Sequence, residues 1–179
     1  MILRIIIWGM FLIGGSFLSV YFDLKFVFTR NLLVNFWWHF VTLPIGAVLL
    51  WVVIRISRYT GRLLAHYGRE GDNVAPMETN KLVTADVYSC MRHPMHLVLF
   101  FFPLSFALIE GSFVFIFILV PAEILIILFL IKFIEEPGAL KKFGSSYREY
   151  MNKVPMFSFK KECLKKMIFD KPLPDSRKN

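Results

Sequence analysis

The segment Tyr88-Ser89-Cys90-Met91-Arg92-His93-Pro94-Met95-His96 sets an arginine and two histidines at the entry to a long apolar run. Further along, Glu135-Glu136-Pro137 closes another apolar run, and Phe143-Gly144, Tyr147, Tyr150 and Val154-Pro155 follow it. Arg92 is a permanent cation whose planar fork can hold a carboxylate or phosphate in bidentate fashion. Glu135 and Glu136 can accept hydrogen bonds from an ammonium, a ribose diol or an amino group, and their charge favours a nearby cation. A ligand bridging the two clusters would carry both signs of charge. S-adenosylmethionine, with a carboxylate, an ammonium, a sulfonium and a ribose, has the groups that these residues suit, which makes Arg92, Glu135 and Glu136 the candidate catalytic residues.

The elements that must position them are apolar helices. Hydrophobic residues make up 56% of the 179, with 20 Phe and a mean hydropathy of +0.58, well above the apolar share of soluble domains. Ile2 to Phe22 and Phe36 to Ile56 each supply about 20 mostly apolar residues, the length that crosses a bilayer as a helix. Glu110-Gly111-Ser112 breaks the next apolar stretch into a tight hairpin, Met95 to Ile109 and Phe113 to Phe133. The expected fold is all-α, a polytopic membrane protein with about four transmembrane helices.

Basic residues accumulate in cytoplasmic loops. Arg55, Arg58, Arg62, Arg69, Lys81 and Arg92 fall between the second and third spans, and most of the remaining cations follow Lys132. Both termini and both charged clusters are therefore expected on the cytoplasmic face of a bacterial or archaeal plasma membrane, or of the endoplasmic reticulum in a eukaryote. The net charge of +8 would attract anionic lipid headgroups. Nucleic acid is disfavoured as a partner, because no basic and aromatic module stands outside the lipid-bound part.

Ser57 to Val87 is the longest polar stretch and reads as a loop, with Leu82-Val83-Thr84 extended ahead of the motif. Leu140, Phe143, Tyr147, Tyr150, Met151 and Val154 recur at three- and four-residue steps, the pattern of one helix face. A cytoplasmic amphipathic helix starting near Pro137 is expected, although Gly144 weakens its continuity. Residues 1–157 form one membrane domain in this reading, and 158–179 a basic cytoplasmic tail. Cys90 and Cys163, both placed on the cytosolic side, read as free thiols.

The ordered motif Leu82-Val83-Thr84, Val87-Tyr88, Arg92-His93-Pro94, Glu135-Glu136, Phe143-Gly144, Tyr147, Tyr150 and Val154-Pro155 resembles the integral membrane methyltransferases that include isoprenylcysteine carboxyl methyltransferase and the phospholipid methyltransferases. The resemblance covers roughly Leu82 to Pro155 and implies a cytoplasmic-face site for S-adenosylmethionine, with a lipophilic small-molecule or lipid acceptor arriving through a tunnel open to the bilayer. The implied cofactor-binding residues are Leu82, Val83, Tyr88, Arg92, His93, Pro94, His96, Glu135, Glu136, Phe143, Tyr147 and Tyr150. Arg92 and His93 would grip the polar end of the cofactor, the Glu pair its ribose or amino group, and the helix with Phe143, Tyr147 and Tyr150 would close over it. The chain departs from many relatives in carrying His96 for Tyr, Asp86 for Gly and Met156 for a basic or small residue. The extra carboxylate of Asp86 is expected close to Arg92, and Lys153 keeps a basic group just before Val154-Pro155.

Other readings compete with this one. Membrane sterol reductases resemble the family in fold and carry a similar Arg-His-Pro segment, but use NADPH, whose 2′-phosphate requires further basic contacts. A non-catalytic membrane subunit binding haem or a protein partner is a third reading. His93 and His96 have a metal-ligand spacing, yet no third ligand of comparable quality is evident and no metal is assigned. Glu123, an ionisable residue inside the last span, is a functional candidate by position; with Lys153 it is the expected acceptor-tunnel residue. His39 beside Trp37-Trp38 fits an aromatic belt, and Glu110 at the hairpin tip is expected to be solvated.

Overall fold

The computed structural model describes residues 2–70 and 79–169. The middle of the polar loop, 71–78, and the end of the basic tail, 170–179, lie outside the described residues. The described residues are helical and include no strand. In chain order they form α1 (Ile2–Lys25), α2 (Val27–Leu33), α3 (Phe36–Tyr67), a 3-10 turn (Asp86–Ser89), α4 (Pro94–Glu110), α5 (Val120–Leu130), α6 (Glu136–Lys153) and α7 (Lys161–Phe169). π-helical turns at Phe115–Leu119 and Ile131–Glu135 flank α5.

Two helices are long and apolar enough to cross a membrane, Phe36–Tyr67 and Phe115–Lys153, and a third candidate is the pair Gly9–Lys25 and Val27–Leu33, bent by 120°. α4, at 17 residues, is shorter. Large side chains stand exposed on these helices, among them Phe17, Trp37, Phe40, Trp51, Leu125 and Phe129. Such a surface is unfavourable in water and suited to lipid, so the chain is an integral membrane protein.

The polar stretch from Ser57 is not a loop throughout. α3 carries on to Tyr67, because Ile56, Tyr59, Thr60 and Leu63 prolong the three- and four-residue spacing and are buried. α6 starts at Glu136 with Pro137 in its first turn, close to the expected start, and follows the π turn Ile131–Glu135 directly in one helical run. Its interruption comes at Gly144, whose φ of 59° and ψ of −131° are non-helical, a conformation that costs glycine little.

The chain divides into two compact units, 1–51 with 99–128 and 52–98 with 129–179. In the first, Ala107, Phe115 and Val120 form a buried cluster against Leu12, Leu104 and Ile124. Asp23 is fully buried and accepts from Ser112 Oγ at 2.5 Å and from the Val114 N–H at 3.1 Å. Ser112 Oγ in turn accepts from the Phe115 N–H, so Asp23 and Ser112 together cap the helix that begins at the hairpin turn. His39 bonds the Leu33 carbonyl at 2.6 Å, and Trp38 Nε1 donates to the Gly111 carbonyl. Glu110, expected in solvent, instead accepts from Ser16 Oγ at 2.8 Å.

Gly46 marks the closest approach of α3 to α4. A Cβ there would stand 2.8 Å from the Ile109 nitrogen and the Ser105 carbonyl oxygen, both main-chain atoms that cannot rotate aside. Gly46→Ala is therefore expected to destabilise by about 1–3 kcal/mol through overpacking. Gly138→Ala, with nothing within 4 Å of the added carbon, is the control and should be neutral or stabilising. Thermal unfolding in detergent compares the two, and equal midpoints would remove the packing argument.

In the second unit the fully buried side chains include Leu63, Met91 and Ile131. Cys90 and Cys163 are joined in a disulfide and are not free thiols. Their separation of 73 positions in the chain conceals a Cα–Cα distance of 5.8 Å, inside the range a disulfide spans. The bridge links the end of the 3-10 turn to α7, whose Met167 is also buried and whose Ile168 carbonyl accepts from Arg55 Nε.

Candidate functional site

The motif around Arg92 is built by three local devices. Asp86 sits at a φ of 57°, in the left-handed region that glycine enters most readily. Here its carboxylate accepts from Tyr59 Oη at 2.6 Å and is engaged there rather than serving as a partner of Arg92. The 3-10 turn follows, with Cys90 and Met91 both donating to the Val87 carbonyl. Pro94 then opens α4, where its missing N–H costs nothing, and the His93 carbonyl accepts from Leu97.

Arg92 holds the second unit together. Its Nε and Nη2 donate to Glu136 Oε1 at 2.9 and 2.6 Å, and its Nη1 donates to the carbonyls of Val154 at 2.5 Å and Met151 at 3.2 Å. The two paired side chains are only 10% and 9% exposed. Arg92 and His93 also donate their backbone N–H groups to the carbonyls of Pro155 and Met156, at 2.9 and 3.1 Å. The motif residues Arg92-His93 and Val154-Pro155 thus belong together because their main chains pair.

Tyr150 Oη donates to the Tyr88 carbonyl at 2.5 Å. The Tyr88 hydroxyl itself is buried without a hydrogen-bond partner among the described residues. Burial, and secondarily the neighbouring Tyr150, push its ionisation well above the usual phenol range, so it remains a neutral donor. His93 is pushed below the ordinary imidazole value, by burial first and by His96 next, with Glu136 and Glu135 opposing. Its neutral ring contacts Glu136 Oε1 through Nε2 at 3.3 Å. His96 Nε2 lies 3.1 Å from Glu135 Oε2.

These residues surround a cavity of about 260 Å³. Of the candidates, Leu82, Val83, Tyr88, Arg92, His93, Pro94, His96, Glu135, Phe143, Tyr147 and Tyr150 line it. Glu136 is not in the lining and is spent on Arg92. Lys153 is exposed at the end of α6 and does not reach the cavity. Glu123 belongs to the first unit, where it is 1% exposed and neither carboxylate oxygen has a hydrogen-bond partner among the described residues. Leu64, Thr79, Lys81, Met95 and Ala139 also line the cavity. The sequence held a usable signal for Leu64 alone, one position from Leu63 in the helical repeat that prolongs α3.

The architecture defines an integral membrane protein with a cavity that mixes ionisable and apolar groups. A model of the phospholipid methyltransferase family matches residues 37–146, more than half of the chain. The chain belongs to that family, and with it to the membrane methyltransferases. No curated protein and no solved structure matches it.

Proposed function

We propose that the protein transfers a methyl group from S-adenosylmethionine to a lipophilic small molecule or lipid, with the cofactor in the cavity lined by Tyr88, His96 and Glu135. The observation that carries this reading is the cavity itself, whose lining joins Arg92, His93, His96 and Glu135 to the apolar Leu82, Val83 and Phe143. Glu135 suits a ribose diol or an ammonium, and Leu82, Val83 and Phe143 offer an apolar surface for an adenine ring. The cofactor, when bound, supplies an activated methyl that passes to the acceptor heteroatom in one in-line displacement. The chain's own contribution is alignment and exclusion of water. A carboxylate or thiolate acceptor needs no base, whereas an ammonium must first lose its proton, for which Glu135 is the candidate.

Arg92 and Glu136 act as positioning residues in this proposal, since their hydrogen bonds are made to each other and to the main chain. The finer topology belongs to the same reading: four spans, with α1 and α2 together as the first and α4 as a short third, and both termini cytoplasmic. Residues 1–157 would form the enzyme, and the segment from 158 would follow it as a membrane-proximal tail. Glu123 remains the candidate acceptor-tunnel group.

Calorimetric titration with S-adenosylhomocysteine, run beside NADPH, tests the proposal. The former is expected to bind and the latter not, because Lys81 and Arg92, the Lys and Arg among the described lining residues, are each paired with a carboxylate. Glu135→Ala should weaken S-adenosylhomocysteine by about 10–100-fold, the value of a hydrogen bond to a charged group, with little change in unfolding temperature. Binding of NADPH alone would move the chain to the reductases.

A further inference from the structure

We propose that His93, His96 and Glu135 form a binding site for a divalent transition-metal ion such as Zn²⁺. One ligand atom from each residue lies within 4.8 Å of the others. His96 Nε2 stands 3.1 Å and His93 Nδ1 4.0 Å from the same carboxylate oxygen, Glu135 Oε2. Ligand atoms around a tetrahedral ion, each about 2.0–2.2 Å from it, are about 3.3 Å apart. Small side-chain rotations bring these three to that spacing. The set is two imidazoles and one carboxylate, the donor chemistry that zinc accepts.

The surroundings favour the same occupant. In the tautomer that donates from Nε2 to Glu136 Oε1, 3.3 Å away, His93 turns the lone pair of Nδ1 toward the Glu135 carboxylate. Glu135 already shares a hydrogen bond with His96 Nε2 at 3.2 Å, and the ion would take the place of that proton between the two side chains. The Nε2–H to Glu136 bond is the outer contact that fixes the tautomer of a metal-ligating histidine. Glu136 is itself fixed by Arg92. The third ligand, invisible in sequence, comes from the π turn Ile131–Glu135 that ends at this carboxylate.

Since His96 and Glu135 are also proposed cofactor contacts, metal and cofactor should exclude one another. That antagonism rests on the methyltransferase reading, whereas metal binding itself does not.

The test is titration of tag-free, detergent-solubilised full-length protein with Co²⁺, read by its visible absorption, then with Zn²⁺ as competitor. Wild type is expected to show the bands of a tetrahedral ion at one equivalent, lost on adding Zn²⁺. His96→Tyr and Glu135→Gln should each weaken binding by about 100-fold or more, the upper range for losing even an outer contact of a metal site. His66→Ala, which alters an exposed histidine outside the cavity, should leave it unchanged. No tetrahedral spectrum in wild type, or an undiminished one in either folded variant, would overturn the site. S-adenosylhomocysteine added afterwards should expel the Co²⁺. Retention of the spectrum with the nucleoside bound would overturn the antagonism alone.

Discussion

Arg92→Ala is expected to lower the unfolding free energy by about 3–5 kcal/mol, the cost of leaving a buried charge without its partner, and to depress the melting temperature by roughly 10 °C. The substitution strands Glu136 and withdraws donors from the Val154 and Met151 carbonyls. Arg92→Lys retains the charge but not the fork that meets Glu136 and both carbonyls at once, and should recover little. The variant Arg92→Met with Glu136→Leu removes both charges together. Such replacements are often neutral or stabilising, so most of the stability should return. Cofactor affinity should not, because His93 then loses the carboxylate that holds its ring and Val154 the donor that anchors it. Melting of Arg92→Ala at the wild-type temperature would show that the pair does not hold the fold.

Asp23→Ala should cost about 2–4 kcal/mol. Two donors converge on this buried carboxylate, the Ser112 hydroxyl and the Val114 N–H, and each loses its acceptor at a cost of about 1–3 kcal/mol. Asp23→Asn keeps one acceptor oxygen and should recover part of the loss. The readout is again thermal unfolding in detergent, with Glu149→Ala, an exposed change on α6, as the comparison. If the two alanine variants melt together, the cap at the hairpin turn contributes nothing.

Membrane class and helical content were legible in the sequence because each rests on a local signal, an apolar run or a helical repeat, whereas most of the cavity-lining residues were named through the family resemblance. The interactions among those residues were not legible. Arg92 reads as a ligand-binding cation, yet its fork faces Glu136 and two carbonyls, because the π turn Ile131–Glu135 sets the phase of the Glu pair and no composition rule reveals that turn. It also separates two adjacent carboxylates that look equivalent: Glu136 is buried against Arg92, while Glu135 lines the cavity beside His96. Asp23 passes unnoticed in an apolar helix, since nothing local tells a capping carboxylate from an isolated one. The disulfide was missed because residues 73 positions apart approach only through the tertiary fold.

The pairing of Arg92 and His93 with Pro155 and Met156 uses amide hydrogens and carbonyl oxygens, which every residue other than proline brings regardless of side chain. Exchange of the side chain at 156 therefore leaves both bonds in place. The seam fixes backbone geometry between the two halves of the motif while placing no demand on the side chain that it carries.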